Sequence, residues 1–427
     1  MEIKELHARF LECTSASTDT RKIKQGAMFF ALKGDNFNGN SYAEQAIKLG
    51  AKYVIIDEEK FKTSSKTILV NSVLESLQQL ASFHRDYLNV PIISLTGSNG
   101  KTTTKELINA TLSKKFKTTA TIGNLNNHIG VPLTLLSMNK NTEIGIVEMG
   151  ANHLKEIEFL CSIAKPDYGY ITNFGKAHLE GFGSTEGVIK GKSEMYDFLI
   201  KNNKTIFING LDPIQVEKTK GTKTFSFGNN PKDFDVEINF IEAQPNVTVN
   251  YNNLSIESHL IGEYNFNNIA AATAIANYLK VNDSDIKKAI ENYIPTNNRS
   301  QVIQKASNKI ILDAYNANPS SMKAALLNFD KLNDKNKMVI LGDMFELGKE
   351  AELEHQEIVN LLDTLNFDKT ILIGENFYKT KVNFNKIKQF KTFDDFKNNF
   401  DSLNIGNETL LIKGSRGMAM ERVLELL

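Results

Sequence analysis

Residues 94–106 read SLTGSNGKTTTKE, a glycine-rich turn running into Gly100-Lys101-Thr102. An apolar run, ISLTG, precedes it and a helix-forming stretch, KELINATL, follows. That context makes a phosphate site: glycines let backbone N–H groups approach phosphate oxygens, and a helix N-terminus adds positive partial charge. Gly97, Ser98, Asn99, Gly100 and Thr103 supply the cradle. Lys101 can reach the β- and γ-phosphates, and the Thr102 hydroxyl can ligate magnesium. The usual pattern places a glycine five residues before Gly100, where this chain has Leu95. The spacing is therefore G-x-x-G-K-T, two residues short of the common loop.

Further along, Glu148 closes the strand candidate IGIVEMG, where an acidic magnesium partner would emerge beside such a loop. His178 follows another strand candidate, in TNFGKAHLEGFG. Magnesium prefers oxygen ligands, so an imidazole would hint at a second ion with its own role. Lys192 lies in the helical stretch IKGKSEMYDFL; by composition alone it reads as a solvated lysine. Arg299, in NNRSQV, could close onto a γ-phosphate, since its charge is permanent and its donors are forked. Asp313, at the end of KIILDAYN, brings an acid to the mouth of a cleft.

The elements around these residues divide the chain into three parts. The first, 1–88, mixes short strand candidates (MFFAL, YVIID, TILV) with helices. Its last helix, VLESLQQLASFHRDYL, puts Val73, Leu77, Leu80, His84 and Leu88 on one face and stops before Pro91. His84 there reads as a core histidine. The second part, 89–297, alternates buried-type strands with helices, the pattern of a largely parallel sheet. Within it, residues 222–260 alternate in polarity and suggest an antiparallel addition. The third part, 298–427, repeats the rhythm in KIILDAYN, KMVILGDM, KTILIGE and ETLLIKGS, as a doubly wound domain would. Pro and paired Asn in ENYIPTNNRS mark the last boundary.

Bulk properties exclude several classes. Lys+Arg and Asp+Glu are both 50, so there is no net charge to favour a nucleic-acid partner. No stretch approaches the roughly 18 apolar residues a membrane span requires, and MEIKELHARF has no signal-peptide core. Two cysteines suit a reducing compartment. A cytoplasmic protein without membrane insertion is expected.

Taken together, TGSNGKTTTKE, EMGA, NFGKAHLEGFGS, KGKSEMYD and GEYNFNNIAAATAIA, in this order, resemble the Mur ligase family. These are ATP-dependent enzymes that join an amino acid or peptide to a UDP-muramoyl precursor of peptidoglycan. The resemblance accounts for the short loop and covers essentially the whole chain. It implies an α/β protein of three domains: a small mixed α/β N-terminal domain for the UDP-muramoyl substrate, a central P-loop-type parallel-sheet ATPase domain, and a C-terminal Rossmann-like domain. The last would close over ATP and bind the incoming amine.

DAYNANPSSMKAAL, GDMFELG and LIKGSRGMAME resemble the branch joining D-alanyl-D-alanine to UDP-N-acetylmuramoyl-tripeptide. The Asp-Asn-Pro-Arg signature of the branch adding the third residue is missing. The reaction implied runs through an acyl phosphate and releases ADP and phosphate. It serves cell-wall synthesis, and with it cell shape and division.

The resemblance further implies Lys101, Glu148, His178, Lys192 and Arg299 as catalytic residues, with Lys192 carbamylated. Thr102, Glu148, His178 and Lys192 would serve magnesium, two ions in all. Asn268 and Asp313 join the loop and Arg299 around ATP. Thr20, Arg21, Asn124, Asn127, Asn316, Asn318, Lys413, Ser415 and Arg416 become substrate candidates, and a monomer is expected. Asn38 and Asn40 stand where an Asp-Gly-His run is common, and Tyr264 where a histidine is usual. The competing readings are another Mur-type or folate-type ligase, and a P-loop ATPase or regulatory switch.

Overall fold

The computed structural model describes residues 2–230, 232–296, 298–382 and 386–427. The boundary expected at 297/298 falls at Asn297, outside the described residues. Three sheets organise the chain, and each has a separate task in positioning the cleft.

The first sheet is parallel, in the order Ala16–Ser17, Met28–Phe30, Tyr53–Ile56, Thr67–Leu69. The helix Val73–Leu88 leaves it. Ser72 caps this helix by accepting the Glu75 amide, and Asn89 ends it in the left-handed region at φ 50°. The face read from spacing is the buried one, and it joins the first sheet to the second domain. His84 is indeed a core residue: its Nε2 bonds the Met138 carbonyl and its Nδ1 lies 3.0 Å from His7 Nε2.

The middle sheet has nine strands. Six of them, Thr118–Ala120, Ile144–Glu148, Ile92–Thr96, Tyr168–Ile171, Thr205–Asn209 and Thr224–Gly228, lie side by side and parallel. Val236–Glu242 is also parallel to its neighbour, and only Thr248–Tyr251 and Leu254–Glu257 run antiparallel. The antiparallel addition expected over 222–260 is thus confined to its second half. TFSFG alternates in sequence yet pairs in parallel on both sides, with Phe227 buried and Phe225 at the core margin.

Two helices pack side by side on one face of the working end of this sheet. Lys101–Leu112 follows the glycine loop, and Phe266–Tyr278 packs across it. The second is lined with Ala270, Ala271, Ala272, Ala274 and Ala276, all fully buried. Small side chains let the two helix backbones approach closely, which is how Asn268 comes to rest on the glycine loop.

The third sheet runs Gln301–Lys305, Asn308–Asp313, Thr409–Lys413, Lys337–Gly342, Lys369–Ile373, Ile387–Phe390. All pairings are parallel except that of the first strand, an antiparallel edge. Register sets Lys413 beside Asp313 on one side and Leu341 on the other. Among the described residues, no helix is long and apolar enough to cross a membrane.

Candidate active site

The glycine loop holds its shape through its own backbone. Gly97 and Gly100 have φ of 142° and 79°, where L side chains are strained. Space also requires them: a Cβ at Gly97 would sit 2.0 Å from Thr172 Oγ1, and one at Gly100 2.4 Å from Asn268 Oδ1. Asn268 is itself fixed by Thr104 and Asn265. Asn173 and Thr172, at the end of the neighbouring strand, bind the loop from the side: the Asn99 amide donates to Asn173 Oδ1, and Asn99 O accepts from both. The Ser98 hydroxyl donates to Gly175 O.

Lys101 folds over the loop, its Nζ 2.7 Å from Gly97 O and 3.2 Å from Ser98 O. Burial pushes its pKa down, Glu148 opposes the shift, and the Arg299 charge adds to it. Thr102 Oγ1 lies 3.0 Å from Glu148 Oε2. Asn126 Nδ2 donates to the same carboxylate at 2.9 Å. A hydroxyl and a carboxylate side by side at the mouth of a phosphate loop form an oxygen donor pair that suits magnesium, with phosphate oxygens and waters completing the shell. Among the described residues no trio of His, Cys, Asp or Glu gathers closely enough to bind a metal alone.

Lys192 departs from a surface lysine. It is fully buried, its Nζ donates only to Ala151 O at 3.0 Å, and the ammonium lies 5.1 Å from the Phe182 ring centroid. No carboxylate pairs with it among the described residues. Burial, and next the Lys101 charge, push its pKa well below the ordinary lysine value. It sits behind the cleft wall and does not line the opening.

The third domain is closed onto this site. Asn318 caps the helix Pro319–Lys331 with a reciprocal capping box, and its Nδ2 reaches Asn99 Oδ1 at 2.7 Å. Lys176 bonds Ser320 through its amide and Glu354 through its ammonium. His178, in the left-handed region at φ 53°, has its Nδ1 2.5 Å from Glu346 Oε2. Arg299 lies with its guanidinium 3.8 Å from the Tyr315 ring centroid, and its buried Nε has no partner among the described residues. Asp313 is paired with buried Lys413 at 2.5 Å and accepts the Ser300 amide.

The result is a cleft of about 1220 Å³ walled by all three domains. Of the expected residues it gathers Ser98 through Thr103, Asn124, Asn127, Glu148, His178, Asn268, Arg299, Asp313, Asn316, Asn318, Lys413 and Arg416. Others stay outside. Gly97 lies beneath the loop. Ser415 is buried and ties Phe345 N to Ala317 O. Thr20 and Arg21 form a turn in the first domain, where Arg21 forks onto Asp19 and holds that carboxyl down at about 2. Asn38 and Asn40 brace a first-domain loop against Glu58 and Asp57.

Among the cleft residues that escaped the sequence reading are Asn126, Asn173, Tyr315 and Glu346. Asn173 ends the strand segment DYGYITN, and polar residues at the carboxyl ends of parallel strands are the available signal. Tyr315 and Glu346 stand in quoted motifs, AYNANPSS and GDMFELG, but nothing local distinguishes them.

Comparison with known proteins gives a family to this arrangement. Residues 12–91 match the model of the Mur ligase family, catalytic domain, residues 95–276 the Mur ligase middle domain, and residues 298–416 the Mur ligase, glutamate ligase domain. The UDP-N-acetylmuramoyl-tripeptide--D-alanyl-D-alanine ligase of Bacillus subtilis is 34% identical, across 96% of this chain and 92% of that protein. A crystal structure of MurF from Acinetobacter baumannii superposes with a TM-score of 0.86 at 31% identity, covering 99% of this chain and 97% of that one. MurF from Thermotoga maritima, solved with ADP, gives 0.82 at 26% identity, over 98% and 97%. The chain belongs to the Mur ligase family.

Proposed function

We propose that this protein is the ATP-dependent ligase that joins D-alanyl-D-alanine to UDP-N-acetylmuramoyl-tripeptide, releasing ADP and phosphate. One observation carries the reading: the phosphate loop does not face open solvent but a third domain hydrogen-bonded to it through Asn318 and Asn99. A carboxyl activated as an acyl phosphate must meet an amine before it meets water, and a domain seated over the loop is the means of limiting water access once substrates fill the cleft.

The tripeptide carboxylate attacks the γ-phosphorus, the bond to ADP breaks, and an acyl phosphate forms. The dipeptide amine then attacks the acyl carbon, and phosphate leaves. Bringing two anions together makes the first barrier electrostatic, so Lys101 and Arg299 hold the γ-phosphate. Arg299 has a donor to spare for it, the unpartnered Nε. Asn268 stays with the loop and the adenine side, and Asp313 faces the ribose. Asn124, Asn127, Asn316, Asn318, Lys413 and Arg416 address the peptide substrates, while Thr20 and Arg21 serve the uridine end.

Thr102 and Glu148 would hold one magnesium ion and His178 a second; bound there, magnesium neutralises phosphate charge. Lys192 fits a carbamate. The neutral amine is the form that reacts with carbon dioxide, giving a lysine carbamate and one proton, and burial favours neutral amine. The carbamate offers oxygens where an ammonium offers none.

We place the domains at 1–88, 89–297 and 298–427, and the enzyme as a cytoplasmic monomer. The decisive assay incubates the purified chain with ATP, magnesium, UDP-N-acetylmuramoyl-tripeptide and D-alanyl-D-alanine and follows the product by mass spectrometry. A pentapeptide product with ADP formed only when both substrates are present is the expected result. ADP formation indifferent to the dipeptide would point to an ATPase instead.

A further inference from the structure

Five carboxylates line the cleft: Glu75, Glu148, Glu156, Asp313 and Glu346. Three are committed within the fold. Glu148 holds Thr102 and Asn126, Glu156 accepts the amides of Asn152 and Asn152's neighbour His153, and Asp313 pairs with Lys413. Glu75 stands on the opposite wall, on the helix Val73–Leu88. Of the two third-domain carboxylates, Glu346 has no lysine or arginine partner among the described residues; the contact its carboxylate makes there is with the His178 imidazole.

Its backbone is held in an unusual way for that purpose. Glu346 has φ of 62°, a conformation unfavourable for a residue with a Cβ. Its carbonyl accepts the Glu180 amide at 3.2 Å from across the domain interface. Beside it runs the turn that carries Arg416. Strands Lys337–Gly342 and Thr409–Lys413 are neighbours, with Leu341 paired to Lys413, so the loops that follow them emerge together. The Ser415 amide donates to Asp343 O, the Phe345 amide donates to Ser415 Oγ, and a Cβ on Gly417 would lie 2.7 Å from the Phe345 ring. One loop thus presents an anion and the next a cation to the same cleft, the cation now resting on Glu421 at 2.7 Å.

A dipeptide with free termini is a zwitterion whose charged ends lie roughly 7 Å apart when extended. Adjacent parallel strands are spaced at roughly 4.8 Å, and side chains reaching from their loops can span the remainder. Resting on the ligase reading above, we propose that Glu346 binds the terminal ammonium of the incoming dipeptide while Arg416 binds its carboxylate. Glu346 thereby fixes which end of the dipeptide faces the phosphate loop, on the side of His178 and Lys101.

The test is steady-state kinetics on the full chain, varying D-alanyl-D-alanine at saturating ATP, magnesium and UDP-N-acetylmuramoyl-tripeptide. Glu346→Gln should raise the dipeptide KM roughly tenfold to a hundredfold, the usual loss for a charged hydrogen-bond partner, with KM for ATP and tripeptide within twofold. Glu346→Asp should recover part of it. As a second readout, D-lactyl-D-alanine, with a hydroxyl in place of the ammonium, should inhibit the wild type and Glu346→Gln equally. An unchanged dipeptide KM, an equal rise for all three substrates, or equal weakening of the hydroxyl analogue would overturn the assignment. No pentapeptide from the wild type would instead bring down the ligase reading, and this inference with it.

Discussion

The phosphate loop and the third-domain wall face each other across one cleft but are built on opposite plans. The loop is local: Gly97 to Thr102 are six consecutive residues, and the strand Ile92–Thr96 and helix Lys101–Leu112 that hold them are contiguous with it. The wall is dispersed. Asp313, Glu346 and Lys413 come from segments separated by tens of residues and meet only through the order and register of the third sheet. A contiguous site tolerates error elsewhere in the chain, whereas a dispersed one depends on every strand pairing that brings it together.

Substitution at the loop should therefore cost chemistry and spare the fold. Lys101→Ala is expected to lower kcat by roughly a thousandfold, as loss of a principal phosphate charge does, with an unchanged urea midpoint. Rapid-quench ADP formation and urea titration followed by circular dichroism would check both. A lowered midpoint would break the contrast.

The wall should show the reverse. Lys413→Met leaves the Asp313 carboxylate, 18% exposed, without its ammonium. Removing one member of such a pair costs about 3 kcal/mol. The expected result is an early loss of the third domain in urea with ADP affinity at the loop largely kept, measured by equilibrium dialysis.

Lys192 tests whether the buried cation belongs to the loop's chemistry or to its packing. Lys192→Ala should reduce activity roughly a hundredfold, and short carboxylic acids should restore part of it if a carboxylate is what the site lacks. Full activity without them would sink the carbamate assignment.

The smallest effect is expected where the two regions touch. Asn318→Ala removes both a helix cap and the bond to Asn99, a loss of about 1 kcal/mol. Small-angle scattering should show a larger radius for this variant than for the wild type, reporting an opened cleft. An unchanged radius would mean that Lys176 and its partners Ser320 and Glu354 hold the domains without it.

How far these regions could be read in advance follows the same division. Strand, loop and helix around SLTGSNGKTTTKE were legible because glycine placement, apolar runs and helix periodicity are local signals. Glu148 was legible as a strand-end residue, and His178 as a residue of the segment that follows the next strand of the same domain. Asn126 was not, although Asn124 and Asn127 beside it were, because only the tertiary fold aims its amide at Glu148. Lys192 was misleading by composition: a helical lysine is usually solvated, and nothing nearby in sequence reveals that Phe182 and Ala151 close over it. Ser415 reads as a cleft residue from its motif and turns out to fasten two loops together.

By itself, then, the sequence determined the α/β alternation, the three-part division and the phosphate loop, since each arises from interactions among residues close along the chain. The partners of Lys413, the burial of Lys192, the placing of the Glu346 and Arg416 loops side by side at one cleft and the closure of the third domain were decided by tertiary structure. Each depends on strand order, register or domain contact, and those are set by cooperative burial of distant segments, which leaves no local mark on the residues involved.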